Sequence, residues 1–137
     1  MGIIAILEQA GRQHQTITSD DFGFAIAPRI NAAGRMDNMR IGVECLLTDD
    51  WGEAHRLASK LNQLNQARRH VEMSMKDDAI AIVQSLSEFD ETPPKGIVLY
   101  QDDWHQGVIG IVAGRLKEKL YRPSIVFAPA DTALVGK

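Results

Sequence analysis

The residues best suited to chemistry lie in the sequence RINAAGR, which begins at Arg29 and ends at Arg35. Each arginine carries a planar fork of donors that matches phosphate, and Asn31 adds an amide between them. The small residues would let a loop backbone approach a ligand closely, and Gly34 tolerates φ angles that other residues resist. The segment is therefore a candidate phosphate clamp. The alternative is a tight turn whose arginines pair with Asp37 or face water.

A second group of polar residues follows a short apolar strand predicted at 97–100. His105 and Gln106 supply side-chain donors, and Gly107 allows close approach just before a predicted helix begins. Ligands of open α/β sheets bind at the carboxyl ends of strands, and helix N-termini favour anions. The structural alternatives are that His105 caps the helix or bonds locally, and that Trp104 fills a gap in the core instead of stacking on a base.

Both segments resemble the RecJ family of single-strand-specific DNA exonucleases, which is part of the DHH phosphoesterase superfamily. The sequence RINAAGR, residues 29–35, is similar to the signature near the end of that family's catalytic domain. The sequence WHQGVIGIVAGR, residues 104–115, is similar to the motif that opens its DHH-associated domain. The two segments occur in the family's order with a long helical stretch between them, so the resemblance covers nearly the whole chain.

The resemblance implies that the chain is an internal part of such an enzyme. Residues 1–50 would end the DHH domain, residues 51–92 would connect the domains, and residues 93–137 would begin the DHH-associated domain. The complete enzyme would hydrolyse single-stranded DNA from 5′ to 3′ with divalent manganese or magnesium, in DNA repair and recombination. Its phosphate-binding residues in this chain would be Arg29, Asn31 and Arg35 from one domain and His105, Gln106 and Gly107 from the other.

The metal-binding part of that family has no counterpart in this sequence. The chain contains no Asp-His-His, and its four histidines are scattered without the paired spacing of a metal site. We therefore expect this chain to bind no metal and to have no catalytic activity by itself. Two alternatives stay open: another DHH phosphoesterase that acts on short oligonucleotides or nucleotides, and a non-enzymatic module that binds nucleic acid or another protein.

Composition favours a globular cytoplasmic protein. The hydrophobic content of 45% is ample for a core, and the net charge of −3 means that binding of single-stranded DNA would depend on a few placed arginines. The only cysteine, Cys45, precludes an intrachain disulfide, which fits a reducing compartment, and its apolar setting indicates a buried thiol. No apolar run reaches the length of a membrane span.

The spacing of apolar residues predicts an α/β chain whose first half is helical. Short helices are expected at 3–10 and 39–47, and a long helix at about 51–88. Asp50 and Glu53 could form a capping box before the long helix, and Pro93-Pro94 would stop it. Its polar centre suits a helix that crosses solvent between two bodies. The alternatives are a break near Asn65 and a coiled-coil dimer.

The second half changes its pattern to strand, helix and strand. The expected elements are a strand at 97–100, a helix at 108–120 and a strand at 124–128. Elements of these lengths imply that the two strands pair in parallel, as in a βαβ unit. A third strand could begin in residues 133–137.

Overall fold

The computed structural model describes residues 1–87, 94–130 and 134–136, and within it the chain divides into two compact units, Met1–Arg68 and Arg69–Lys137. The predicted stop at Pro93 and the ends of the predicted third strand lie outside the described residues. The first unit is helical. It contains α1 (Gly2–Gln9), a 3₁₀ turn (His14–Thr16), α2 (Ser19–Asp21), a π-helical turn (Phe22–Ile26), α3 (Ala27–Met36), α4 (Arg40–Leu47) and the beginning of α5 (Trp51–Ser87).

The predicted arginine loop is wrong, because RINAAGR lies within helix α3. Pro28 occupies the first turn of this helix, where its fixed φ angle is favourable and its missing N–H costs no hydrogen bond. The alanines that follow have the highest helix propensity, and Ala32 and Ala33 are buried. The small side chains therefore serve helix formation and packing, not a loop that wraps a ligand.

The core of the first unit lies where α1, α4 and α5 meet. It includes Ile6 and Leu7 of α1, Cys45 of α4 and Leu61 of α5, all fully buried. The burial of Cys45 confirms the prediction of a buried thiol. The backbone of α1 approaches α4 so closely that a Cβ on Gly2 would lie 1.8 Å from the carbonyl oxygen of Cys45. Apolar burial of this kind is the main force that holds short helices together.

Helix α5 is one continuous helix of 37 residues, so the alternative of a break near Asn65 is wrong. The Asp50 side chain caps its first turn by accepting a hydrogen bond from the backbone N–H of Glu53 at 2.7 Å. Glu53 does not complete the capping box, since its carboxylate pairs with Arg56 at 2.6 Å. The polar centre is not simply solvated, because Asn65 is only 2% exposed.

The second unit confirms the predicted βαβ arrangement. Strand β1 (Ile97–Tyr100) pairs in parallel with β2 (Ser124–Pro129), in a register that sets Ile97 opposite Ser124, and α6 (Ile109–Leu120) lies between them in sequence. A third strand, β3 (Leu134–Gly136), pairs with β2 in antiparallel orientation. Helix α6 packs against β2. The fold class is therefore α/β, as the sequence predicts.

Among the described residues, no helix combines the length and the apolar composition that a membrane span requires.

Candidate functional site

Arg29 is held by two hydrogen bonds inside the first unit. Its Nη1 donates to the carbonyl oxygen of Ala25 at 2.8 Å, and its Nε donates to Oδ1 of Asn62 on α5 at 3.0 Å. Ala25 lies in the π-helical turn, where the regular pattern of backbone hydrogen bonds changes. The half-buried guanidinium therefore binds a carbonyl oxygen at an irregular turn and joins α3 to α5.

Asn31 and Arg35 share the other side of α3. Both side chains are exposed and lie four residues apart, so they are neighbours one turn apart on the helix surface. Arg29 precedes Asn31 by two positions, which rotates it by about 200° around an α-helix. The structure thus brings Asn31 and Arg35 together and places Arg29 on a different face. An amide and a guanidinium side by side can both donate to one phosphate group.

Gly34 does not have the positive φ angle expected of a loop glycine. Among the described residues, Gly11 is the only glycine in that region, with a φ of 69°. A Cβ on Gly34 would instead lie 2.8 Å from Cε of Met39, the flexible end of a side chain at the start of α4. The absence of a side chain at Gly34 therefore gives Met39 room, and the glycine has no role in turning the chain.

Carboxylates close to α3 are neutralised within the first unit. Asp37, two residues after Arg35, has its carboxylate 3.7 Å from Nζ of Lys60, and Glu44 pairs with Arg40 at 2.6 Å. Both pairs are exposed, so each contributes little to stability. Their effect on the candidate site is electrostatic, because a paired carboxylate repels a phosphate at Asn31 and Arg35 less than an unpaired one would.

In the second unit, His105 and Gly107 meet in the turn that leads into α6. The backbone N–H of Gly107 donates to Nδ1 of His105 at 3.0 Å, and the N–H of Val108 donates to the His105 carbonyl oxygen at 3.0 Å. Because Nδ1 accepts a hydrogen bond, the neutral ring carries its proton on Nε2. His105 thus bonds locally, as the structural alternative proposed, and keeps one donor. Gln106 is exposed beside it.

Trp104 is buried, with 4% of its surface exposed, so it fills the core and presents no ring for base stacking. Its Nε1 is the one buried side-chain polar atom in the described part of the chain that has no hydrogen-bond partner. Trp104 borders a groove of about 360 Å³ that also includes Asp78 and Asp103. These carboxylates make the groove unfavourable for phosphate.

Arg115, the last residue of WHQGVIGIVAGR, is paired with acidic residues of its own unit. Its Nε lies 3.3 Å from Glu72 on α5, and its Nη1 lies 3.5 Å from Glu118. The hydrogen bond and charge of Glu72 raise the pKa of the Arg115 guanidinium, with a smaller contribution from the charge of Glu118. The pair joins α6 to α5 within the second unit, so the described contacts of this arginine are structural.

Several of these contacts carry no signal in the sequence. Asn62 meets Arg29 across 33 residues, and Glu72 meets Arg115 across 43 residues. Neither residue belongs to a motif, and both lie in a helix whose pattern predicts only its apolar face. Within residues 1–87, 94–130 and 134–136, no three histidine, cysteine, aspartate or glutamate side chains lie together as a metal site would require.

No family model matches the chain. It is nevertheless 53% identical over 128 residues, 93% of its length, to the single-stranded-DNA-specific exonuclease RecJ of Haemophilus influenzae. It is 48% identical over 136 residues to the Escherichia coli protein of the same name. The structure of Thermus thermophilus RecJ in complex with Mg²⁺ superposes on 93% of this chain with a TM-score of 0.77 and 34% identity.

The match covers only part of each relative. The chain spans 22% of the Haemophilus influenzae protein, 24% of the Escherichia coli protein and 19% of the Thermus thermophilus chain. Within that part, the sequence and the backbone of this chain match those of the relatives over 93% of its length. The chain belongs to the RecJ family.

Proposed function

We propose that this chain is part of an exonuclease that hydrolyses single-stranded DNA from its 5′ end. The observation that carries the proposal is 53% identity, over 93% of this chain, to a protein named for that activity. Identity at this level preserves both the fold and most side chains of a site. We further propose that the complete protein acts in DNA repair and recombination in the cytoplasm.

The role proposed for this chain is substrate binding. Arg35 and Asn31 would donate to oxygens of a DNA phosphate from the exposed face of α3. His105 and Gln106 would add donors from the turn before α6, where Nε2 of His105 is the proton-bearing nitrogen of the neutral ring. Arg29 would act differently from the other predicted ligands. Its contacts with Ala25 and Asn62 suit it to hold α3 in place, so it supports the phosphate contacts indirectly.

Divalent metal is proposed for the complete protein, because solved Thermus thermophilus relatives are bound to Mg²⁺ and to Mn²⁺. Such an ion activates water and offsets charge on the phosphate during hydrolysis. The described residues of this chain offer no group of three ligands for it. We therefore assign them to binding and orienting DNA, and we expect the 137-residue chain to degrade no single-stranded DNA with either metal.

A chimeric enzyme tests the proposal. The matching segment of the Haemophilus influenzae protein is replaced by this chain, and release of nucleotides from 5′-labelled and 3′-labelled single strands is measured. We expect activity on single strands that starts at the 5′ end. Dinucleotides serve as a second substrate, since preference for them would favour an oligonucleotide phosphoesterase instead.

Variants of the chimera test the phosphate contacts. Arg35→Ala removes a charge-assisted hydrogen bond to phosphate, which contributes about 1.5–3 kcal/mol. The kcat/KM for single-stranded DNA should therefore fall roughly ten- to a hundredfold. Arg35→Lys should recover only part of the lost activity, because lysine does not have the planar, forked set of donors of a guanidinium group. Arg56→Ala is the matched control, since Arg56 is an exposed arginine of the same unit that pairs with Glu53. An inactive chimera would contradict the proposed exonuclease activity. Normal activity of a folded Arg35→Ala variant would contradict the proposed phosphate contact.

A further inference from the structure

Phe24 presents an aromatic ring to solvent in the π-helical turn of the first unit. It is 76% exposed, although Ala25 and Ile26, the next two residues, are buried in the core. The carbonyl oxygen of Ala25 accepts a hydrogen bond of 2.8 Å from Nη1 of Arg29. The backbone next to Phe24 is thus held by the core and by Arg29, which fixes the point from which the ring projects.

Phe24 lies on the same side of the helix as Asn31 and Arg35. The π-helical turn continues directly into α3, so the backbone is helical from Phe22 to Met36. Seven positions separate the members of two buried pairs along this helix: Ala25 and Ala32, and Ile26 and Ala33. A spacing of seven therefore returns to the same side across the turn, and the same spacing separates Phe24 from Asn31, which are both exposed. Because Asn31 and Arg35 are neighbours one turn apart, the ring and the two donors share one exposed face.

The distance between the ring and the two donors suits a nucleotide strand. Two helical turns, at about 1.5 Å for each residue, place Phe24 about 10 Å from Asn31 along the helix axis. Successive nucleotides of a stacked strand are about 3.4 Å apart, so this distance corresponds to roughly three nucleotides. A strand with one phosphate at Asn31 and Arg35 can therefore bring a nearby base to the ring of Phe24.

The charges beside the ring favour contact with a base over contact with a phosphate. Asp20, four residues before Phe24, is exposed, and its carboxylate repels phosphate. Asp21 is paired with Arg12, whose Nε lies 3.5 Å from Oδ1 of the carboxylate. An exposed phenyl ring offers a base a flat apolar face, and stacking of this kind holds single-stranded nucleic acid. The exposed face thus combines donors for phosphate with an aromatic ring for a base, the two kinds of contact by which proteins bind a single strand.

We propose that Phe24 stacks on an unpaired base of the DNA strand whose phosphate is bound by Asn31 and Arg35. The inference rests on the proposed function and extends it from the phosphates of the strand to its bases. Stacking on a ring requires no particular base, so the contact tolerates any sequence. It does require an exposed base face, which neighbouring bases cover inside a duplex. Phe24 thus favours single strands over duplex DNA.

The chimeric enzyme tests the proposal. Its binding of 5′-phosphorylated oligo(dT) that carries fluorescein at the 3′ end is followed by anisotropy, in EDTA so that no strand is hydrolysed. Phe24→Ala and Phe24→Leu should each bind roughly tenfold more weakly than the original chimera, because leucine keeps the apolar bulk but has no aromatic face. Phe24→Trp should bind at least as well, since it keeps a stacking surface. Phe22→Ala is the matched control: Phe22 is 47% exposed and lies two positions earlier, on a different side of the helix, so its removal should leave the affinity unchanged.

A scan with single abasic sites shows whether the ring contacts a base directly. Each oligonucleotide of the scan lacks one base at one position near its 5′ end. For the original chimera, one position should lower the affinity roughly tenfold, because the base that stacks on Phe24 is missing. The Phe24→Ala chimera should lose no further affinity at that position, since the contact is already absent. A residue that only supported the fold would not show this coupling to one base.

Two results would overturn the proposal: unchanged affinity of the Phe24→Ala chimera, or equal losses at every abasic position in the original and Phe24→Ala chimeras. A lower melting temperature of the Phe24→Ala chimera together with unchanged affinity would mean that the ring packs against another part of the complete protein. The same chimera separates this proposal from the proposed function. If it degrades single strands but Phe24→Ala binds oligo(dT) normally, only the stacking contact is wrong. If oligo(dT) binding depends on Phe24 but neither Mg²⁺ nor Mn²⁺ supports degradation, only the proposed exonuclease activity is wrong.

Discussion

Replacing Arg29 by alanine is expected to destabilise the first unit, although the sequence predicts the same role for Arg29 and Arg35. Arg29 donates hydrogen bonds of 2.8 and 3.0 Å to Ala25 and Asn62. Arg29→Ala leaves both acceptors without this donor and separates α3 from its contact with α5. Arg35 lies on the exposed face of α3, so Arg35→Ala should weaken DNA binding and should cost less stability than Arg29→Ala.

The expected loss follows from the two hydrogen bonds of Arg29. A hydrogen bond that involves a charged group contributes about 1.5–3 kcal/mol, and Arg29 is half-buried, which reduces the gain for each bond. Folding no longer has to order a long side chain in the alanine variant, and this entropy gain offsets part of the lost hydrogen bonding. We therefore expect a decrease of about 2–3 kcal/mol in the free energy of unfolding. For a domain of this size, the melting temperature should fall by about 6–15 °C.

Urea denaturation of the 137-residue chain, followed by circular dichroism, measures this loss. Arg29→Lys should lie between the original chain and Arg29→Ala, because an ammonium group cannot reproduce both contacts of the guanidinium. Asn62→Ala and the double variant complete a cycle, in which the coupling energy should exceed about 0.5 kcal/mol. The reasoning is refuted if Arg29→Ala unfolds like the original chain and the cycle shows no coupling. In that case Arg29 would not hold α3 and α5 together.

Three further changes test other contacts. In urea denaturation, Gly2→Ala should lower the free energy of unfolding by several kcal/mol, because the new Cβ would meet the Cys45 carbonyl oxygen. Gly34→Ala should be tolerated, because only the flexible end of the Met39 side chain must move. Trp104→Phe should change stability by less than about 1 kcal/mol, since removing the unpartnered Nε1 offsets the lost ring area; a larger loss would show that Nε1 is bonded. Burial raises the pKa of the Cys45 thiol, so the unfolded chain releases this proton at lower pH than the folded chain does. The free energy of unfolding should therefore fall as the pH rises above about 8.5. Cys45→Ala should remove this part of the pH dependence, and a variant with an unchanged pH profile would contradict the prediction.

The sequence by itself determined the elements and their order, because those depend on local patterns. Apolar spacing predicted the long helix and the parallel pairing of the strands that flank α6, and both are confirmed. Two short motifs were enough to indicate the family, since they keep their residues and their order. The exception is the RINAAGR segment, predicted as a loop, where the propensity of its alanines and the position of Pro28 produced a helix.

Only the tertiary structure decided what each polar side chain does. Arg29 differs from Arg35 because its position on α3 brings it to Asn62, which is 33 residues away in sequence. Arg115 is paired because α6 passes close to Glu72, 43 residues away. The role of an arginine depends on which carbonyl, amide or carboxylate groups surround it. Those neighbours come from distant parts of the chain, so local sequence patterns specify the guanidinium but not its partner.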